Sequence, residues 1–276
     1  MNILTAFKEH KEFKKHRPWS YWESGTVSCE FVTLPHYAET IEILFYYGME
    51  GDVHIGGQHF TLEGDRVFFV APNMVHAMSY QGGHGCIKTL KINPPQLKPL
   101  LDLDVLLEYH QKDYVDLPIA LPMEEGIADM PQIFATATDV NEILIMILRF
   151  FDVLFSQADH NADISRTVSA KDDTLREILK WSEENFIGKI TLDEVANAFG
   201  YSKHYFCQKF KKATGITYLT YLNTLRISHA CCLLKAGKSV SETCDGCGFE
   251  DVSYFIQLFK KTTGLTPKKY VKELEK

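Results

Sequence analysis

The side chains best placed to do chemistry in this chain occur twice. Phe206 and Phe210 are four residues apart, so a helix that buries both rings leaves His204, Cys207, Gln208 and Lys211 outside. Phe255 and Phe259 do the same 49 positions later, leaving Ser253, Ile256, Gln257 and Lys260 outside. An exposed glutamine can pair bidentately with adenine, and apolar atoms can pack on a thymine methyl. Lysines neutralise phosphates and position a protein on a duplex without choosing a sequence. Each set follows a glycine turn, Phe199-Gly200-Tyr201 or Cys247-Gly248-Phe249, and leads into a basic run, Lys211-Lys212 or Lys260-Lys261. A small helical unit made twice, each time with a basic end, suits two successive contacts with something acidic and periodic. DNA is the first candidate.

The elements that must carry these residues are legible in the capping signals. Asp172–Phe186 reads as a helix with Leu175, Ile178, Leu179 and Phe186 on one side, and Gly188-Lys189 turns the chain. Thr191 is an N-cap with Asp193 and Glu194 in the first turn, where carboxylates meet unpaired N–H groups. That helix carries Leu192, Val195, Ala196 and Phe199 and ends at Gly200, and Ser202 caps the next. Helix, glycine turn and a second helix with a polar face form a helix-turn-helix signal. In the repeat, Ser239 or Ser241 opens the first helix and the second runs from Val252 to Lys261. Tyr218–Ala236 reads as a long connecting helix with Leu219, Leu222, Leu225 and Ala230 along one side. Gly246 costs about 1 kcal/mol of helix propensity and Thr243 makes a weaker apolar contact, so the second unit is expected to be the looser.

Residues 172–272 resemble the DNA-binding domain of the AraC/XylS family of bacterial transcriptional regulators. The resemblance rests on Thr191-Leu192-Asp193-Glu194-Val195-Ala196, on Tyr221–Ile227, on Gly248–Phe255 and on Phe259-Lys260-Lys261 through Thr266-Pro267. It implies base contacts to double-stranded promoter DNA from His204, Cys207 and Gln208 in the first unit and from Ser253, Ile256 and Gln257 in the second. Lys211, Lys260 and Lys261 become the phosphate contacts.

The rest of the chain has a different character. Residues 171–276 hold 17 Lys and Arg against 13 Asp and Glu, whereas residues 1–170 hold 12 against 23. An acidic body with a mildly basic tail predicts two domains with separate partners. Val27–Leu34, Thr40–Tyr47, Gly51–Ile55, His59–Leu62, Arg66–Val70 and Cys86–Ile92 read as short strands, with turns at Gly56-Gly57 and Glu63-Gly64-Asp65. Many short strands in so few residues predict a barrel or sandwich. The apolar residues of Val140–Phe155 recur at helical period, and Leu100–Tyr109 reads as a shorter helix.

This half resembles a small cupin barrel, through Pro35-His36, Glu42, Gly51, Gly57-Gln58, Phe60-Thr61-Leu62, Gly64-Asp65, Val70-Ala71-Pro72 and His76. On the pattern of that family's metal-binding members, His36, Glu42 and His76 take ligand positions while Ala38 stands where a further histidine belongs. The expectation is therefore no metal and no cofactor, with the barrel mouth holding a small organic effector such as a sugar. His36, Glu42, Tyr46, His76 and Trp22 are the candidate effector residues, with Tyr37, His54 and Trp19 as further lining. A metal-dependent cupin enzyme fused to a DNA-binding domain is the alternative.

The expected organisation is a cupin-like antiparallel β-barrel with packed helices over residues 1–157, a linker over 158–171, and an all-α tandem helix-turn-helix domain over 172–276. The basic stretch Lys8–Arg17 is a candidate arm. Homodimerisation is expected through 140–155, and RNA polymerase is a partner if the output is activation. Seven cysteines, an odd number that includes the adjacent Cys231-Cys232, suit a reducing compartment better than a disulfide framework. Cys244-x-x-Cys247 lacks the further ligands of a zinc site, and packing is its expected role. No run of 18 apolar residues occurs, so no membrane partner is expected and the location is cytoplasmic. No nucleophile, base and orienting group fall into a catalytic pattern. The resemblance implies a sequence-specific, effector-controlled transcriptional regulator.

Overall fold

The computed structural model describes residues 18–24, 31–123, 127–160 and 173–274. Its first half is one antiparallel sheet dominated by three long strands. They are β3 (Ile41–Ile55), β4 (Gln58–Val70) and β5 (His76–Ile92), joined by shorter strands β1 (Trp19–Glu23), β2 (Phe31–His36) and β6 (Ala120–Leu121). β5 is central. β3 pairs along most of one side of it, while β1 and β2 pair with its two ends on the other. β4 lies outside β3 and carries β6. The β3–β4 hairpin turns at Gly56 (φ 56°) and Gly57 (φ 79°), and positive φ at both central residues matches the twist of the flanking strands.

The sheet is open, which corrects the expected barrel. Among the described residues β1 and β6 each have a single partner strand and do not pair with each other. Gly64, expected at a tight turn, lies instead within the continuous strand β4. Gly48 and Gly64 adopt positive φ where the β3–β4 register shifts between Tyr46 and Met49, a bulge that turns the ladder without ending it. Six expected short strands thus become a few long bent ones, and a two-residue β6 is too short to close the sheet.

Both faces of the sheet are buried. On one, Ile41, Ile43, Phe45, Val67, Phe69, Leu90 and Ile92 pack on α4 (Val140–His160) through Ile143, Ile147, Phe150, Phe151 and Leu154. α1 (Pro94–Leu97), α2 (Leu103–Tyr109) and α3 (Met130–Thr136) contribute Leu97, Leu103, Leu107, Met130 and Phe134 to this core. Trp19 belongs here too, so it packs and lines no ligand face. Most of the apolar stripe on 140–155 is likewise spent inside the molecule. The opposite, concave face holds Leu44, Tyr46, Val53, Ile55, Phe68, Val70, Met78 and Tyr80.

The second half is helical: α5 (Asp173–Asn185), α6 (Leu192–Ala198), α7 (Lys203–Thr214), α8 (Tyr218–Lys235), α9 (Val240–Gly246), α10 (Val252–Thr263) and α11 (Pro267–Leu274). α5, α6, α7 and the start of α8 share one core, while the end of α8, α9, α10 and α11 share another. α8 is buried on more than one side because it serves both cores. Leu219, expected on one side with Leu222, is 52% exposed, whereas Leu222 is buried together with Tyr218 and Tyr221. Leu34 of β2 and Val75, just before β5, join the first helical core, so the two halves of the molecule touch. The stretch Lys8–Arg17 and residues 161–171 of the expected linker lie outside the described residues; α4 continues through 158–160. No helix among the described residues is long and apolar enough to cross a membrane.

Candidate nucleic-acid interface and ligand face

Each helix-turn-helix unit is assembled by the same local chemistry. Thr191 and Glu194 form a reciprocal capping box at the start of α6, and Ser239 and Glu242 form one at α9, satisfying N–H groups that a helix end leaves unpaired. Phe199 is the C-cap of α6, and Gly200 (φ 71°) lets the Tyr201 N–H donate back to the Ala196 carbonyl at 2.8 Å. Cys247 is the C-cap of α9, and Gly248 (φ 73°) lets the Phe249 N–H donate to the Cys244 carbonyl at 3.1 Å. Ser202 then caps α7 and Asp251 caps α10, each accepting from the N–H three residues on. Both helices finish on a left-handed glycine, Gly215 or Gly264. Inside the last turn, the Thr214 hydroxyl donates to the Phe210 carbonyl and the Thr263 hydroxyl to the Phe259 carbonyl.

With Phe206, Phe210, Phe255 and Phe259 buried, the opposite sides of α7 and α10 face solvent. His204, Gln208, Lys211, Ser253, Gln257, Lys260 and Lys261 are exposed. Cys207 and Ile256 are half-buried, each packed partly on its own core. Tyr205 and Tyr254, absent from the sequence reading, stand exposed at matching positions in the first turns, and the Tyr254 hydroxyl accepts from Asn223 Nδ2 at 3.2 Å. The matched hydrophobic spacing could have flagged them.

Arg226 of α8 joins the two units, a role the sequence did not announce. Its Nε donates to the Phe186 carbonyl and its Nη2 to the Gly188 carbonyl, both at 2.8 Å. Its guanidinium also lies 5.6 Å from the centroid of the Phe249 ring. Gly248 completes the joint, since a Cβ there would fall 2.3 Å from the Ile187 carbonyl oxygen. Cys244 and Cys247 are buried free thiols, and burial pushes the Cys247 thiol up to about 12.

The five expected effector residues fall on or around the concave side of the sheet. Tyr46 is buried there edge-on to Phe68, and Trp22 packs against the same core half-exposed. Glu42 and His76 are buried and His36 is half-buried. Glu42 Oε1 accepts from Lys91 Nζ at 2.7 Å, and its Oε2 lies 3.5 Å from His76 Nε2. Burial alone would raise the Glu42 carboxyl, but the His76 contact and the Lys91 charge outweigh it and hold the group well below the usual carboxylate range. Burial, then the neighbouring His76, pushes the His36 imidazole down to about 3, so it is neutral at pH 7.

Tyr37 and His54, expected as lining residues, face the helical half. Tyr37 packs on the first helical core. His54 of β3 sits against the C-terminal turn of α7, and a Cβ on Gly215 would lie 2.5 Å from its Nε2. Burial, then His59, lowers the His54 pKa. A small cleft of about 100 Å³ opens beside it between Asp52, Met78 and Ser79 on the sheet and Thr214 and Ile216 at the end of α7.

Comparison with known proteins follows the same division. A helix-turn-helix domain family matches residues 195–273. The HTH-type transcriptional activator RhaS of Escherichia coli is 26% identical over 232 residues, which covers 78% of this chain and 79% of RhaS. The Transposon Tn10 TetD protein of Escherichia coli is 39% identical over 64 residues, 23% of this chain and 46% of TetD. Among solved structures, ToxT from Vibrio cholerae aligns over 92% of this chain and 98% of its own at 14% identity, with a TM-score of 0.47. With two capped helix-turn-helix units on one connecting helix, this chain carries a helix-turn-helix domain and is similar over most of its length to the transcriptional activator RhaS.

Proposed function

We propose that the chain reads a promoter with α7 and α10 together, under the control of a small polar molecule held on the concave face of the sheet. His204, Cys207 and Gln208 are the base-reading residues of the first unit, and Ser253, Ile256 and Gln257 those of the second. Lys211, Lys260 and Lys261 contact phosphates. The observation that carries this reading is the matched exposure of polar side chains on two helices with the same caps, joined by one arginine. Two recognition helices so held can enter successive major grooves, about 34 Å apart.

The effector is a sugar or a molecule of similar polarity. The buried polar side chains of Glu42 and His76, next to the aromatic surfaces of Tyr46 and Trp22, support such a ligand: apolar walls with a few fixed polar groups. It acts by binding two arrangements of the halves unequally. Activation, with RNA polymerase as partner, is the proposed output, in line with the activator role in the name of RhaS. The chain works as a homodimer through 140–155, where Val140, Ile145 and Leu148 remain exposed after the rest of α4 has packed on the sheet.

Fluorescence anisotropy on the upstream region and on scrambled DNA, across a salt series and a sugar panel, tests this reading. Gln208→Ala should weaken the specific complex about tenfold and leave scrambled DNA unaffected. Lys211→Ala should weaken both and reduce the salt slope by about 1. Equal binding to both DNAs at every salt would refute base reading, and no response to any sugar would refute that effector class.

A further inference from the structure

The end of α7 rests on a titratable side chain of the sheet. The last carbonyls of a helix have no partner within it, and His54 of β3 serves one of them, the Lys212 carbonyl. His54 Nε2 is the atom that a Cβ on Gly215, the left-handed residue closing α7, would meet first. Its Nδ1 is buried and has no hydrogen-bond partner among the described residues. A carbonyl only accepts, so the ring proton sits on Nε2 and Nδ1 keeps a bare lone pair. His54 pairs with Ala77 and Ile55 with His76. Side chains alternate along a strand, so His54 stands on the opposite face of the sheet from His76. The contact is therefore distinct from the ligand face, where His36, Glu42 and His76 gather.

We propose that His54 is a pH-released latch between the two halves: neutral, it ties the sheet to the end of α7, and protonated, it lets that helix go. A second proton has to enter at Nδ1, where it becomes a buried donor without an acceptor. The His59 ring, stacked 4.8 Å away on β4, puts a like charge beside it. Burial and then His59 outweigh Asp52 and the Lys212 carbonyl, which favour the charged form, and hold the His54 pKa down. Asp52 is already engaged by His59 Nε2 at 2.7 Å and by Gln81 Nε2 at 2.9 Å. The β5 residues lining the same cleft, Ala77, Met78 and Ser79, carry no charge. On α7 the side chains of Lys211 and Lys212 are exposed to solvent.

Once α7 moves away, Nδ1 meets water and the imidazole returns to its ordinary value of about 6.5. The released arrangement then takes up the proton more readily than the latched one. The contact is thus fully present above that pH and is lost as the pH falls below it. Release does not uncover the reading face, since His204, Gln208 and Lys211 are exposed while the latch is closed. What it removes is the direct route from the sheet to α7. That consequence rests on the effector-controlled reading above, whereas the latch stands without it.

Hydrogen exchange on the full-length protein, at about pH 8 and about pH 5.5 with intrinsic rates divided out, tests the latch. The last turn of α10 serves as the internal reference, because nothing lies within 4 Å of a Cβ on Gly264. Protection of the last turn of α7 relative to that of α10 should fall about threefold or more on acidification. His54→Gln keeps a donor for the Lys212 carbonyl and does not titrate, so its ratio should not change with pH. An unchanged ratio in the unmutated protein would overturn the proposal. An equal fall in His54→Gln would also overturn it, by assigning the release to another group. A direct NMR titration of the His54 ring should give a value below the ordinary one, and a value at or above it would refute the latch. DNA specificity and sugar response are measured apart from exchange, so failure of the effector reading is seen separately.

Discussion

The two helix-turn-helix units are built alike and supported differently. Gly215 and Gly264 end the two recognition helices with nearly identical φ, 78° and 80°, but only Gly215 is covered. His54 of the sheet lies against it, whereas a Cβ on Gly264 would meet nothing within 4 Å. The first unit also packs on Leu34 and Val75, while the second is held by its own core and by the Arg226 joint. The sheet thus grips one reading helix directly and reaches the other only through α8. A signal that alters the sheet acts first on α7.

The largest effect is expected where the second unit meets the first. Gly248→Ala combines left-handed strain of about 1–2 kcal/mol with a clash against the Ile187 backbone, which cannot swing aside. Chemical denaturation should show a loss above the strain alone, and a loss at or below 1 kcal/mol would remove Gly248 from the joint. Next comes Arg226→Ala, which strips two carbonyls of a charged donor and should cost about 2 kcal/mol. It should weaken specific DNA binding more than nonspecific binding, because it disturbs the spacing of the helices rather than their charge.

The comparison itself is sharpest at the paired glycines. Gly264→Ala should cost only the left-handed strain, about 1–2 kcal/mol, and Gly215→Ala should cost more. Adding His54→Ala should bring Gly215→Ala back to the Gly264→Ala value; equal losses without it would mean that the sheet does not bear on α7. The smallest effect is a gain. Thr243 occupies in α9 the place Val195 occupies in α6, fully buried, and its hydroxyl has no hydrogen-bond partner among the described residues. Thr243→Val should stabilise the chain by about 1 kcal/mol in a thermal melt, the desolvation cost of an unmade hydrogen bond.

What the sequence made legible was local. Thr191 and Ser202 cap the helices they were expected to cap, and Ser239 is the cap of the two serines expected for the repeat, because an N-cap acts within the four residues from N-cap to N3. The buried phenylalanine pairs followed from a spacing of four. The Gly56-Gly57 hairpin was equally readable. Sheet closure was not, because a glycine at a turn and a glycine at a bulge look alike in sequence, and Gly64 belongs to the second kind. Leu219 misled because α8 serves two cores and its buried positions do not form one stripe. Arg226 and His54 act across the fold on backbone that lies close only after folding, and Gly248, legible as a turn glycine, approaches Ile187 for the same reason; no local pattern marks these contacts. For the ligand face, the sequence suggested the three residues through a resemblance; their mutual orientation required the strands.

Arg226 also has a consequence for the target. Because one side chain, anchored on two backbone carbonyls, fixes the second unit against the first, the phase between the two reading helices belongs to the protein and not to the duplex. Inserting about half a helical turn, roughly 5 base pairs, between the two half-contacts of one subunit should abolish recognition. The same insertion between the sites of two subunits of the proposed dimer asks only how far that dimer can rotate. An operator series with spacers at those two places would therefore reveal which stretch of promoter a single chain covers.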